Sequence, residues 1–200
     1  FQVPTTEIIP STGSGQWAVR LRNAAWSWYG VEPARDARTD RQYYSSYAPD
    51  LANRSAGKLF LGSYSVDKSG LETYNEGIAF RSRPTAVSGI YTFVQDYHDT
   101  SETGLVVISL VNDEGGKEVE IGRGVGYLKP STSFTRFNVP VVYSIRNKRA
   151  TRLKLMVASS NHASYSIEKE SRNIKTSDYL ETAVSTGAEL TVDQLSLLYE

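Results

Sequence analysis

"FRSRPTAVSGIYTF", which runs from Phe80 to Phe93, is the stretch that decides the fold class of this chain of 200 residues. After its Arg-Pro corner, four residues fall on one face of an alternating pattern: Val87, Gly89, Tyr91 and Phe93. A period of two is typical of a strand with one buried face. Pro84 fixes its own backbone and favours an extended conformation at Arg83. We therefore expect the corner to be mainly structural and to lead the chain into a strand.

The same period recurs along the rest of the chain, and we find no convincing helical period. Nine predicted strands are separated by Gly, Ser, Asn and Asp turns: 17–21, 58–64, 77–82, 87–95, 105–112, 119–126, 134–142, 153–159 and 189–199. Gly115 and Gly116 indicate a hairpin between the fifth and the sixth. In the last strand the pattern changes phase near Asp193 and Gln194, which predicts a β-bulge. The prediction is an all-β jelly-roll sandwich of two antiparallel sheets, formed as a single domain by residues 1–200.

The composition argues against several classes of function. Lys plus Arg and Asp plus Glu are both 22, so the net charge is zero and gives no case for a nucleic-acid partner. The chain has no cysteine, which excludes disulfides and thiolate metal sites. No apolar run approaches the roughly 20 residues of a membrane span, so we predict no membrane insertion by this chain.

Two long polar stretches, 24–53 and 159–186, fit no strand. Binding residues commonly lie on loops held by a rigid scaffold, although short helices or an edge cover are equally open interpretations. The first stretch holds two aromatic clusters, which suit stacking on sugar rings but are also typical of packing beneath a loop. The predicted ligand-binding residues are Trp26, Trp28, Tyr29, Tyr43, Tyr44, Tyr47 and, from the corner, Arg83.

Paired carboxylates are the enzymatic alternative, because glycoside hydrolysis needs two of them on the order of 5 to 10 Å apart. Glu118 and Glu120 lie two positions apart on a predicted strand, and Glu76 with Asp96 is a second candidate pair. A solvated strand face is the more common reason for such spacing.

Metal ligands are sparse in this sequence. The two histidines, His98 and His162, lie far apart without the spacing of a zinc site. Calcium needs only oxygen ligands, and Asp193 beside the predicted bulge is a candidate ligand for a structural ion. We expect no other cofactor.

The segment "GIAFRSRPTAVSGIYTF", from Gly77 to Phe93, resembles the signature of the putative carbohydrate metabolism domain family. The segments "KLFLGSY", "FTRFNVPVVY", "LMVASSN" and "AELTVDQLSLLY" resemble further parts of that family in the same order, over roughly residues 16–200. The resemblance implies a jelly roll similar to galactose-binding-like and carbohydrate-binding modules. It also implies a secreted or surface protein of gut anaerobes, often with an upstream immunoglobulin-like domain.

These observations predict a carbohydrate-binding module of a secreted or cell-surface protein involved in glycan utilisation. The expected location is outside the cytoplasm, on the cell surface, anchored to the outer membrane or in the periplasm, with a targeting signal beyond this sequence. A glycoside hydrolase that uses a carboxylate pair is the first alternative. A structural or adhesive module that binds protein is the second, and a flat exposed apolar patch would favour it.

Overall fold

The computed structural model describes residues 5–13, 15–26, 34–35, 42–43, 53–66, 72–95, 100–113, 116–163 and 184–199. Strands make up most of these residues and none of them is helical, so the described part contains no helix that could cross a membrane. The strands are β1 (Thr6–Pro10), β2 (Trp17–Trp26), β3 (Ala34–Arg35), β4 (Gln42–Tyr43), β5 (Asn53–Ser55), β6 (Lys58–Phe60), β7 (Gly62–Val66), β8 (Glu72–Glu76), β9 (Ile78–Ala79), β10 (Ala86–Val94), β11 (Gly104–Asn112), β12 (Val119–Leu128), β13 (Ser131–Pro140), β14 (Val142–Tyr143), β15 (Arg152–Ala158) and β16 (Val184–Leu198).

Two six-stranded antiparallel sheets form the sandwich. The first sheet has the order β1-β2-β16-β10-β13, with β5 beside β2. The second has the order β14-β12-β11-β15-β6, with β9 beside β15. Two smaller pairs, β3-β4 and β7-β8, lie outside these sheets.

The order of eight strands defines the topology. Taken along the chain they are β2, β6, β10, β11, β12, β13, β15 and β16. If these eight strands are numbered 1 to 8 along the chain, the order across the first sheet is 1-8-3-6 and the order across the second is 2-7-4-5. This is the strand order of a jelly roll. The predicted fold class is therefore confirmed.

The opening stretch supplies the centre of the core. Val87, Tyr91 and Phe93 face inward and are buried, and the Tyr91 ring meets the Phe137 ring edge-on at 6.0 Å between centroids. A side chain at Gly89 would begin 2.9 Å from the Phe137 ring, so this position admits only glycine without a shift. The second sheet faces these residues with the fully buried side chains of Val106, Ile108 and Leu110.

The predicted bulge in the last strand is confirmed. The register between β10 and β16 shifts between Ser88 and Ile90, opposite Ser196 and Asp193. Gln194 absorbs the extra residue with a positive φ of 56°. The leucines on both sides of the shift consequently pack against the same core: Leu190, Leu195 and Leu197.

Most predicted strands differ from the observed ones by up to five residues at an end, so that β2 and β16 extend into the stretches 24–53 and 159–186, which were predicted to fit no strand. The short strands β3 and β4 also lie in the first of these stretches.

Two predicted strands differ more. The segment 58–64 divides at Leu61, because the chain leaves the second sheet there as the hairpin β7-β8 and returns at Gly77. The Leu61 amide donates to the Leu155 carbonyl, and the Gly77 amide donates to the Leu61 carbonyl. The predicted strand 77–82 is reduced to β9, which pairs with β15 over two residues.

A buried polar contact joins the two sheets. The Ser159 hydroxyl, just after β15, donates to Asn23 Oδ1 on β2 at 2.7 Å. The same hydroxyl accepts a hydrogen bond from the Gly57 amide at 2.9 Å. Asn23 and Ser159 are both fully buried. Because a buried polar group needs a partner, this contact fixes the alignment of the sheets at this point.

Candidate functional site

The outer face of the second sheet carries a cleft of about 630 Å³. Its floor consists of β12, β11 and β15, which lie side by side. The fully buried residues of β11 alternate with the ones that face the cleft, which are Leu105, Val107, Ser109 and Val111. The strand that forms the middle of the cleft floor therefore also packs into the hydrophobic core through its other face.

Strand register arranges the outward side chains in four rows across this face. The rows are Tyr127-Leu105-Ala158, Val125-Val107-Met156, Arg123-Ser109-Lys154 and Glu120-Val111-Arg152. The first two rows are apolar apart from the tyrosine hydroxyl, whereas the last two rows are mainly charged. We call these parts the apolar half and the charged half of the cleft.

The apolar half presents one exposed ring above a packed floor. The side chain of Tyr127 is 62% exposed, whereas Leu105 and Met156 are buried. Phe60 of the neighbouring strand and Ala163 pack against these two residues. The exposed Tyr127 ring therefore lies beside buried, well-packed side chains.

An aromatic wall formed by Phe60, Tyr74 and Tyr64 stands beside the cleft. The Tyr74 ring lies 5.7 Å from Phe60 and 4.8 Å from Tyr64, between centroids. Tyr74 is two residues from Glu76 on β8, so both side chains lie on the same face of that strand. Because Glu76 lines the cleft, the aromatic wall is on the cleft side of the hairpin.

Lys154 and Arg152 form one ion-pair group in the charged half. The Lys154 ammonium lies 2.9 Å from Glu118 and 3.6 Å from Glu76. The Arg152 guanidinium contacts Glu118 and lies 3.3 Å from Asp113. Glu118 therefore bridges two cations.

Arg123 and Glu120 form the second group. The Arg123 guanidinium donates to a Glu120 carboxylate oxygen at 3.0 Å. The same oxygen accepts a hydrogen bond from the Ser109 hydroxyl at 2.7 Å. Both charged side chains are exposed, so they border the open part of the cleft.

The ion pair between Glu118 and Lys154 favours the charged form of both side chains. The hydrogen bond from Lys154 lowers the pKa of the Glu118 carboxyl against the opposing effect of burial, with help from the Arg152 charge. Burial works against the ammonium form of Lys154, but the hydrogen bond to Glu118 and the charge of Glu76 outweigh it and raise its pKa. A general acid needs the opposite shift, because it must hold its proton at the working pH.

The structure brings three of the four predicted catalytic candidates into this cleft. Glu118 and Glu120 line it together with Glu76, although the sequence analysis placed Glu76 in a different pair. The fourth candidate, Asp96, lies outside the described residues. A catalytic role for these carboxylates stays a prediction.

Most of the predicted aromatic ligand site lies outside the described residues. This holds for Trp28, Tyr29, Tyr44 and Tyr47, and also for His98. The backbone of Trp26 pairs with Val184 and Asn53, and that of Tyr43 pairs with Ala34. Binding by these six rings stays a prediction.

Arg83, predicted as a polar anchor for a ligand, is engaged by the protein itself. Its guanidinium donates to the carbonyls of Lys148 at 2.8 Å and Ile145 at 3.2 Å. It also lies over the Tyr143 ring at 4.0 Å, and the Tyr143 hydroxyl donates to the Pro84 carbonyl. These contacts support the structural interpretation of the corner, since they hold the segment after β14 against it.

Asp193, the predicted calcium ligand, is also held by neighbouring groups. Its carboxylate accepts hydrogen bonds from the Ser11 hydroxyl and the Gln194 amide, both at 2.6 Å. Within the described ranges, no three His, Cys, Asp or Glu side chains are grouped so that they could hold a metal ion. His162 is exposed beyond β15, and its amide donates to the Ser160 hydroxyl. The calcium site stays a prediction without support from this geometry.

Sequence reasoning missed Tyr127 and the cations of the cleft. A signal is present in "GRGVGYL", where glycine alternates with larger residues. A side chain at Gly124 would begin 2.4 Å from the Pro140 carbonyl oxygen, and one at Gly126 would begin 2.3 Å from the Val139 side chain. The inner face of β12 therefore admits only glycine at these two positions, and the larger residues that alternate with them, Arg123, Val125 and Tyr127, line the cleft.

Comparison with known proteins supports the fold. No family model matches the chain, and no curated protein matches its sequence. A structure described as a putative glycoside hydrolase from Bacteroides thetaiotaomicron is similar, with a TM-score of 0.61 and 13% identity over 98% of this chain and 57% of that one. A carbohydrate-binding module specific for non-crystalline cellulose, CBM28, has a TM-score of 0.39 and 9% identity over 96% and 80% of the two chains.

The chain thus spans little more than half the length of the Bacteroides structure, and the shared feature at this identity is the fold. The family resemblance noted in the sequence has no family match behind it. The jelly roll that it implied is present in the structure.

Proposed function

We propose that this domain binds glycans in the cleft on the second sheet. The observation that carries the proposal is the exposed Tyr127 ring, which lies opposite buried Leu105 in the strand register and is followed along the strands by rows of charged side chains. A pyranose ring has apolar C–H faces and a rim of hydroxyl groups. A cleft with an aromatic surface and a few ordered polar groups matches both parts of such a ligand.

The comparisons add support at a coarser level. The structure with the same fold is described as a putative glycoside hydrolase, which agrees with a carbohydrate-related role for this chain. Fold similarity is an associational argument, so the proposal depends on the cleft itself. The extracytoplasmic location and the role in glycan utilisation that we expect from the sequence stay part of the proposal.

Hydrolysis is the second candidate, and the three carboxylates in one cleft favour it. Binding without hydrolysis is better supported, because each of the three carboxylates is paired with a cation, and the pKa of Glu118 is lowered by its partners. A proton donor to a glycosidic oxygen requires a raised pKa. We expect no release of reducing sugar from any glycan that the domain binds.

The proposal is tested with a glycan array on the purified domain, followed by titrations with the glycans that bind. Loss of the ring in Tyr127→Ala should weaken binding by about fivefold, because stacking on one ring is worth on the order of 1 kcal/mol. Tyr199→Ala is the matched control, since Tyr199 is 54% exposed and follows the end of β16, outside the cleft. We expect this control to bind like the native domain.

Equal binding by the native domain and both variants would show that the cleft is not the site. Loss of binding on replacing the six rings between Trp26 and Tyr47 would then support the site predicted from the sequence. Repeating the array with EDTA tests the calcium prediction, because removal of a required ion weakens binding without any substitution.

A further inference from the structure

The cations in the charged half of the cleft are all paired with carboxylates of the protein itself. Arg123, Arg152 and Lys154 are these three cations, and each contacts at least one carboxylate. The carboxylates in these contacts number four: Glu76, Asp113, Glu118 and Glu120. Four negative charges against three positive ones leave an excess of one negative charge, and no cation of this group lacks a carboxylate.

We infer that the cleft selects neutral glycans and rejects anionic ones, such as uronate or sulfated glycans, and that Glu118 and Glu120 set this specificity. This inference rests on the proposed function. It gives the two carboxylates a role in choosing the ligand.

The reason is electrostatic. A carboxylate or sulfate group on the ligand would need a cation as its partner, and each of the three cations in the charged half already has a carboxylate. A further cation, Lys58, lies over the Tyr74 ring at the end of the first, apolar row. The ligand would either displace Glu118 or Glu120 or lie beside them, and like charges in contact disfavour binding strongly. A sugar hydroxyl, in contrast, can donate to a carboxylate or accept from a guanidinium without breaking the ion pair.

The two groups reach different parts of the cleft. Glu118 neutralises Lys154 in the third row and Arg152 in the fourth. Glu120 neutralises Arg123 at the exposed border. Removing both negative charges would change the local balance from one negative to one positive charge. The amide oxygens of glutamine can still accept the hydrogen bonds from Lys154 and Ser109.

The test uses pairs of polymers that share a backbone and differ in charge. Suitable pairs are methyl-esterified and de-esterified homogalacturonan, dextran and dextran sulfate, and hydroxyethyl- and carboxymethylcellulose, each immobilised and probed with the full domain. For any pair that binds, we expect the native domain to prefer the neutral member by about tenfold or more. In the double variant Glu118→Gln with Glu120→Gln, binding of the anionic member should gain about tenfold relative to binding of the neutral member.

Glu189→Gln is the matched control. Glu189 bridges Arg20 and Arg22 on the first sheet, so this variant loses one negative charge from a similar network away from the cleft. We expect its preference to equal that of the native domain.

Each outcome separates the inference from the proposed function. Equal or tighter binding of the anionic members by the native domain would overturn the inference while leaving glycan binding in place. An unchanged preference in the double variant, with its fold intact by circular dichroism, would remove Glu118 and Glu120 as the cause. Binding to no member of any pair would contradict the proposed function, and the inference would fall with it.

Discussion

The two outer faces of the sandwich resemble each other in size and charge and differ in their aromatic residues. The first sheet carries a groove of about 600 Å³, close to the volume of the cleft on the second. Beside that groove, Arg20 and Arg22 are neutralised by Glu7 and Glu189, with a shortest contact of 2.7 Å. The cleft on the second sheet adds the exposed Tyr127 ring and the aromatic wall. In the groove, the aromatic side chain is Phe134, which is half-buried.

Neither volume nor ion pairs distinguish the two faces, so neither of them locates the proposed glycan site. Paired charges occur on both faces, and surface ion pairs contribute little by themselves. What separates the faces is an exposed ring held next to groups that can bond to hydroxyls. Three kinds of test follow: a substitution in the core that supports both faces, substitutions at the corner, which lies on neither face, and a change in the ionisation of Glu118, which lies on one face.

The largest effect should come from the core that supports both faces. Phe93 is 1% exposed and packs between the sheets. Phe93→Ala should lower the free energy of unfolding by about 3 to 5 kcal/mol, because it leaves a cavity between the two sheets. Chemical denaturation measures this change. A loss below about 1 kcal/mol would mean that the sheets are not packed as described.

An intermediate effect on stability, without an effect on binding, is expected at the Arg-Pro corner. Arg83→Ala removes hydrogen bonds to two carbonyls and the contact with the Tyr143 ring. We expect a loss of about 2 to 3 kcal/mol in unfolding free energy. Arg81→Ala, at an exposed position two residues away, should change it by less than about 0.5 kcal/mol.

Glycan titrations of the same two variants complete this test. Both should bind like the native domain, because the corner lies on neither outer face. A selective loss of binding in Arg83→Ala, at unchanged stability, would support the ligand role predicted from the sequence and would contradict the placement of the site in the cleft.

The smallest effect concerns pH. The pKa of Glu118 is lowered from its ordinary value of 4.5, so its ion pairs stabilise the fold above that pH and cease to do so as the pH falls through the lowered pKa. The Glu118 side chain is 41% exposed, so the contribution should be below about 1 kcal/mol. Lys154 has a pKa raised from 10.5, so its contribution persists through neutral pH and disappears only in strong base.

Urea denaturation of the native domain and Glu118→Gln between neutral and acid pH tests this sign. The stability advantage of the native domain should be constant down to about pH 5 and should shrink below pH 4.5. An advantage that grew in acid would contradict the assignment of Glu118 as an ionised partner of Lys154.

The sequence predicts the sandwich well because strand alternation is a local signal. The face of Val87, Tyr91 and Phe93, and the phase change at Asp193, both follow from neighbouring residues alone. Most contacts of the charged half, in contrast, join residues that are far apart in the sequence. Its central contact joins Glu118 to Lys154, 36 positions further along the chain, and only the pairing of β11 with β12 and β15 brings them together.

The structural contacts of Arg83 could not be predicted from the sequence for the same reason, and its ligand role stays a prediction. Its partners, Ile145 and Lys148, lie more than 60 positions along the chain, so the pattern around the corner contains no trace of them. The aromatic wall could not be predicted for a different reason. One predicted strand, 58–64, covers both β6 and the first arm of the hairpin, and the break at Leu61 depends on the pairing with β15.

The most direct measurement is NMR mapping of backbone amide shifts during titration with a neutral glycan that binds. We expect the largest shifts at Val125, Tyr127 and Ser109 in the cleft, with Thr92 and Thr191 in the opposite groove unchanged. Shifts concentrated at Thr92 and Thr191, or confined to residues 24–53 with a silent cleft, would contradict the proposed site in the cleft.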